Sequence, residues 1–188
     1  MRTWKNWLLR CSLVAVCVVA FLVGLVAFQP ADYAVERSIS IRSAPGPIFV
    51  QVENLKAWDR WNPWSKLDPD ARVEFTGPPA GKGASMAWWG NSQVGEGTMT
   101  ISGWQQDKLV ELEQVFAKPM PGKAMIKVML APDDSNPQAT RVTMRLEGSN
   151  GFMGKAVCLV MNMDAMIGGA FAKGLANLKE FVEAGKGK

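Results

Sequence analysis

With 188 residues, 48% of them hydrophobic and 20% charged, the chain has the composition of a globular protein with a core, not of a disordered one. Its net charge of +4 is concentrated in Arg2, Lys5 and Arg10; without those three, the 21 bases become 18 against 17 acids, which excludes the basic footprint of a nucleic-acid binder. The absence of histidine excludes Ser-His-Asp and Cys-His catalysis and histidine metal sites, and only Cys158 of the three cysteines lies beyond the first apolar run, so no metal or other cofactor is expected.

The first element is the charge-free run from Cys11 to Phe28, CSLVAVCVVAFLVGLVAF. As a helix rising about 1.5 Å per residue it nearly spans a hydrocarbon core of about 30 Å. Leu8 and Leu9 extend it, Arg10 is placed to snorkel, Trp4 and Trp7 fall where an inner aromatic belt would lie, and Tyr33 where an outer one would. Arg2, Lys5 and Arg10 precede the run and Arg37 and Arg42 follow at a distance, which predicts a cytoplasmic N-terminus and a domain on the outer, periplasmic or extracellular, face. A cleaved signal peptide has a shorter apolar region and a small-x-small site, which Ala27-Phe28-Gln29-Pro30 does not supply, and Leu8-Leu9-Arg10 before Cys11 is not a lipoprotein signal. The expected division is a tail and single-pass anchor over 1–30, one domain over 33–184 and a short tail over 185–188.

The domain opens with alternation: Val35, Ile39 and Ile41 on one face, Glu36, Ser38, Ser40 and Arg42 on the other, a strand with one wet side. Pro47 then starts a helix through Ile48, Phe49, Val52 and Leu55. Asp59 to Asp70 is too rich in Pro, Asp and Asn for a long helix and reads as short helix or turns. Six strands follow: Arg72–Thr76, Ala84–Trp89, Gly97–Trp104, Leu109–Ala117, Ala124–Ala131 and Ala139–Glu147, with Pro132 to Pro137 as a hairpin connection. Apolar residues from Phe152 through Leu159, Met163, Ile167, Phe171, Leu175, Leu178 and Val182 recur at three- and four-residue steps, which predicts one helix from about Phe152 to Ala184, interrupted by Gly168 and Gly169.

Four blocks carry a family likeness: Trp58-Asp59-Arg60-Trp61-Asn62-Pro63-Trp64 with Asp68-Pro69; Trp88-x-Gly90-Asn91 with Val94-Gly95-x-Gly97-x-Met99-x-Ile101; Phe116-x-x-Pro119-Met120; and Met163-Asp164-x-Met166-Ile167-Gly168. Together, over about Tyr33 to Ala184, they resemble the SRPBCC superfamily, in particular its polyketide cyclase/dehydrase-like branch, a START/Bet v 1-like group. The resemblance implies an α+β helix-grip fold, in which a seven-stranded antiparallel sheet curves around a long C-terminal helix and leaves a cavity. Relatives of that kind bind lipids, sterols, polyketides or plant hormones, and some are cyclases or aromatases.

Strand parity places Gly97, Met99, Ile101 and Gly103 on one inward face, Val110, Leu112, Gln114 and Phe116 on a second, and Val142, Met144 and Leu146 on a third. Gln114 is the polar exception, suited to orient a ligand by a hydrogen bond or else to meet a core water. The candidate ligand-binding set is Gln114, Trp61, Trp64, Trp88, Met99, Phe116, Met144, Met163 and Ile167, with Met166 a further soft liner and ordinary core packing the competing reading for the aromatics and methionines. No catalytic set is legible; acid–base work would fall to Asp164, Glu96 or Glu113 alone. The leading expectation is a membrane-anchored binding protein for an apolar, lipid-like or polyketide-like small molecule. A cyclase-type enzyme and an envelope interaction module are the alternatives.

Overall fold

In the computed structural model the backbone is described for residues 2–160 and 162–185, and side chains for 12–159 and 162–185. The chain forms two compact units: Tyr33–Ser149 with Met163–Lys188, and Met1–Asp32 with Asn150–Asn162.

The larger unit is built on seven strands: β1 (Asp32–Ile41), β2 (Arg72–Thr76), β3 (Ser85–Trp89), β4 (Glu96–Gln105), β5 (Leu109–Lys118), β6 (Gly122–Asp133) and β7 (Asn136–Ser149). They form one sheet in the order β1-β7-β6-β5-β4-β3-β2, so every consecutive pair from β2 to β7 is an antiparallel hairpin and β1 joins at the far edge. The alternation in the sequence becomes one buried and one wetter face: Val110, Val128 and Met144 stand opposite one another across β5, β6 and β7, as do Leu112, Ile126 and Leu146, and all six are buried. The tight return from β3 to β4 needs Gly95, whose φ of +70° belongs to the left-handed region that glycine enters at little cost. The register of β4 against β5 shifts at once, between Glu96 and Gly97, as at a bulge.

One α-helix caps this sheet after β1. It takes Pro45–Glu53, with proline in its first turn where the missing N–H costs nothing, and buries Ile48, Phe49 and Val52. The segment rich in Pro and Asp forms two 3₁₀ turns, Ala57–Arg60 and Pro63–Lys66; the Asn62 side chain accepts from Trp64 N–H at 3.1 Å and starts the second. The C-terminal helix, Met163–Glu183, buries Phe171, Leu175, Leu178 and Val182 at helical spacing in the same core.

The predicted single helix from Phe152 to Ala184 is therefore two helices, Phe152–Val160 and Met163–Glu183. Numbered in chain order, the four α-helices are α1 (Arg2–Ala27), α2 (Pro45–Glu53), α3 (Phe152–Val160) and α4 (Met163–Glu183). The apolar period runs through the break unchanged, so periodicity does not show it. The local signals are Asn162 just ahead of α4 and Asp164 in its first turn, residue types that begin helices. Arg37 of β1 secures that start: its two terminal guanidinium nitrogens donate to the two Asp164 carboxylate oxygens at 3.0 and 2.8 Å. Gly168 leaves room for the guanidinium, which a side chain there would strike, while Gly169 has open space around it, and α4 runs through both without interruption. The β6–β7 connection is also tighter than Pro132 to Pro137, since pairing persists to Asp133 opposite Asn136.

The smaller unit holds α1 and α3. Within α1, every described side chain from Ser12 to Val23 is exposed, whichever way it points. Among the described residues no single helix is long and apolar enough to cross a membrane; the apolar stretch that qualifies as a shorter helix is Ser12–Ala27. The side chains of Trp4, Trp7, Arg10 and Cys11, which carry the inner belt and its flank, lie outside the described ones, as do residues 186–188 of the tail.

Candidate ligand cavity

Between the concave face of the sheet and α4 lies a cavity of about 470 Å³. It is within the larger unit throughout. Its walls come from β1, the two 3₁₀ turns, β2 to β7 and the first half of α4. All nine residues of the candidate set stand on this wall: Trp61 and Trp64, Trp88, Met99, Gln114 and Phe116, Met144, Met163 and Ile167. Met166 joins them at the exposed rim.

The aromatic side chains are fixed by the elements that carry them. Trp58 donates its indole N–H to the Val52 carbonyl at 2.8 Å, and Trp61 donates to the Gln51 carbonyl at 3.2 Å. The two rings pack 4.7 Å apart, tilted by 46°. Trp64 meets Phe171 edge to face at 6.0 Å, and Trp88 meets Phe116 likewise at 6.0 Å. The Trp88 N–H goes to the Val94 carbonyl at 3.4 Å. With the N–H of Trp58, Trp61 and Trp88 engaged by backbone, these rings offer the cavity only their apolar surface.

Two glycines make room for rings on the wall. A Cβ on Gly97 would stand 2.6 Å from Trp88, and one on Gly148 would stand 2.6 Å from the Tyr33 hydroxyl. Tyr33, placed by sequence at an outer membrane belt, thus lies across β7 and lines the cavity.

Polar groups around the cavity divide by what they already hold. At the rim, the Asp68 carboxylate accepts from Asn91 N–H at 2.6 Å, and Lys118 pairs with Glu96 at 2.9 Å. Ser65 donates to the Asn62 carbonyl at 2.9 Å. Gln114 differs. It sits on β5 opposite Met99 of β4 and Ala124 of β6, and among the described residues its amide has no hydrogen-bond partner. It is half-buried, the one amide set among Met99, Phe116, Ile126 and Met144, placed to meet a polar group of a molecule in the cavity.

None of the three carboxylates considered for acid–base work is on the wall. Asp164 is bound bidentately by Arg37, which holds its carboxyl below the usual carboxylate range. Glu96 pairs with Lys118, and Glu113 lies 3.7 Å from Lys123. Among the described residues no group of three or more His, Cys, Asp or Glu could hold a metal ion.

Parity and helical spacing do not reveal the whole lining. Tyr33, Trp58, Met86, Val94 and Ile126 also line it. Trp58 shares the three-residue spacing of Trp61 and Trp64, and Ile126 shares the parity of Ala124 and Val128, so both carry a sequence signal. Tyr33 and Met86 sit near strand ends, where alternation says only which face, not what lies above it.

No family model matches the sequence, and no curated protein matches it. Solved structures do match. A hypothetical protein from Helicobacter pylori superimposes with a TM-score of 0.60 at 10% identity, covering 80% of this chain and 88% of its own. Ara h 8.0201 does so with a TM-score of 0.55 at 12% identity, covering 81% and 99%. The Aha1 protein of Colwellia psychrerythraea, solved as a dimer, gives 0.53 at 19% identity, covering 82% and 98%. Identities this low speak for architecture only, and on that evidence the seven-stranded antiparallel sheet with its C-terminal helix is a helix-grip, Bet v 1-like fold.

Proposed function

We propose that this chain is a membrane-anchored binding protein that holds an apolar or amphipathic small molecule in the helix-grip cavity. The observation that carries the reading is the about 470 Å³ space between sheet and α4, aromatic and aliphatic on its walls, with the unpaired Gln114 amide inside it. Small-molecule sites run from about 300 to 1,000 Å³ and pair an apolar lining with a few placed polar groups. Gln114 orients the ligand by one hydrogen bond; Trp61, Trp64, Trp88, Met99, Phe116, Met144, Met163 and Ile167 supply contact area.

The anchor is α1. Its 26 residues extend about 39 Å at 1.5 Å per residue, and the run from Cys11 to Phe28 carries no charge. Arg2, Lys5 and Arg10 at its start favour a cytoplasmic N-terminus, with the binding domain on the outer face.

Native mass spectrometry of the detergent-extracted full-length protein reports a co-purifying small molecule together with the mass of the uncleaved chain. After delipidation, the protein takes up a fluorescent fatty acid or a sterol. Gln114→Ala then weakens uptake about two- to twelvefold, the value of a net hydrogen bond of about 0.5–1.5 kcal/mol, while the melting temperature holds. Delipidated protein that binds neither fatty acid, sterol nor aromatic dye removes the reading.

A further inference from the structure

The apolar surface of the smaller unit does not end with α1. Helix α3 exposes Phe152 at 50%, Met153 at 68% and Leu159 at 41%, and Phe152 and Leu159 stand seven residues apart on one face. Its single charge is accounted for inside the unit: Lys155 reaches the Ala27 carbonyl at the end of α1 at 3.5 Å. The Asn150 amide, ahead of α3, donates to the Cys158 sulfur at 3.3 Å, and the Asn150 N–H donates to the Ala31 carbonyl at 2.8 Å. Polar groups are thus turned toward protein while large apolar side chains are turned away from it, the reverse of a surface built for water.

What covers this surface is decided by α1. A second copy or another protein covers one stripe of a helix. Here Leu13, Val16, Val19, Phe21 and Leu22 are all exposed, at 51–66%, and they point to every side of the axis. A helix apolar on every side is covered by the interior of a large protein or by a bilayer, and the charge-free run from Cys11 to Phe28, preceded by Arg2, Lys5 and Arg10, fits the bilayer. We propose that α3 is a second membrane element: it lies in the same bilayer leaflet as the end of α1, with Phe152, Met153 and Leu159 among the acyl chains. The proposal rests on the reading of α1 as a membrane anchor and adds a helix that by itself is shorter than a spanning segment. Its nine residues are too few to span, so α3 enters one leaflet only.

The test uses full-length protein, with Cys11, Cys17 and Cys158 replaced by alanine, reconstituted in vesicles of phosphatidylcholine and phosphatidylglycerol. Single cysteines at Met153→Cys, Leu159→Cys, Val19→Cys and Asp134→Cys carry an environment-sensitive nitrobenzoxadiazole label. Labels at 153, 159 and 19 emit at shorter wavelength, are quenched by spin-labelled lipid, and are several-fold less quenched by aqueous iodide than the label at 134. An aqueous response at 153 and 159 with a lipid response at 19 overturns the inference and leaves the anchor standing. An aqueous response at 19 as well overturns both.

Discussion

At the scale of single residues, the cavity depends on atoms that are absent as much as on those present. Gly97 lets the Trp88 indole lie over β4, and a side chain there would stand 2.5 Å from the Val115 carbonyl and 2.6 Å from the ring. Gly97→Val therefore displaces Trp88 and its edge-to-face contact with Phe116. The expected cost is about 1–3 kcal/mol, a fall of about 2–4 °C in melting temperature for each kcal/mol, with a red shift in tryptophan emission as Trp88 loses its burial. Gln51 is the opposite case. It is 4% exposed, and its side-chain oxygen has no hydrogen-bond partner among the described residues. Gln51→Met keeps the volume and removes the unmet acceptor, so the melting temperature rises, by about 1 kcal/mol of stability, in a thermal scan of the detergent-solubilised protein. Gln114 was legible as the polar exception in an apolar strand face. Gln51 was not, because nothing in a run such as Phe49-Val50-Gln51-Val52 says that the amide oxygen will face no donor.

At the scale of elements, strands and turns followed the sequence closely. All seven strands fall where the sequence places them; β1 and β3 to β7 each carry buried positions against the core, while the edge strand β2 is exposed along its whole length. The C-terminal helix did not, because apolar spacing is the same whether a helix continues or stops and restarts. The restart at α4 is secured by a pair remote in sequence, Arg37 with Asp164. The hairpin joining β6 to β7 carries a pH dependence of its own. Asp133, nearly buried, accepts from the Ser135 hydroxyl at 2.5 Å and from Ser135 N–H at 2.9 Å, which lowers its pKa from 3.8 to about 2. A lowered carboxyl stabilises the fold when ionised, so its contribution is whole above about pH 4, declines as pH falls through about 2, and is gone below. Asp133→Asn removes that share: the difference in melting temperature between the native chain and the variant, followed by circular dichroism, shrinks between pH 4 and pH 2. Asp164, Glu147 and Glu183 are lowered as well, by hydrogen bonds from Arg37, Arg145 and the Arg42 backbone respectively, so both proteins still lose stability in acid.

At the scale of the whole molecule, a protein with an apolar space in its core gains from filling it. A ligand present at about 100 times its Kd adds about 2.7 kcal/mol, so the melting temperature of delipidated protein rises by several degrees when the fitting molecule is supplied. A screen of lipid extracts by thermal shift would rank ligand classes, and Gln114→Ala would lower the shift for those whose polar group the amide meets. The sequence by itself determined the charge-free N-terminal helix, the seven strands and their inward residues, because each of these follows from periodicity and turn chemistry over a few neighbours; the nine candidate wall positions drew also on the resemblance to a cavity-forming family. The tertiary structure alone decided that α3 and α4 are separate, that Tyr33 lies over Gly148 on the cavity wall, and that a space remains between sheet and helix at all. Those depend on how side chains more than 100 residues apart share volume, and the local pattern of a chain does not encode the gap left when two packed surfaces fail to meet.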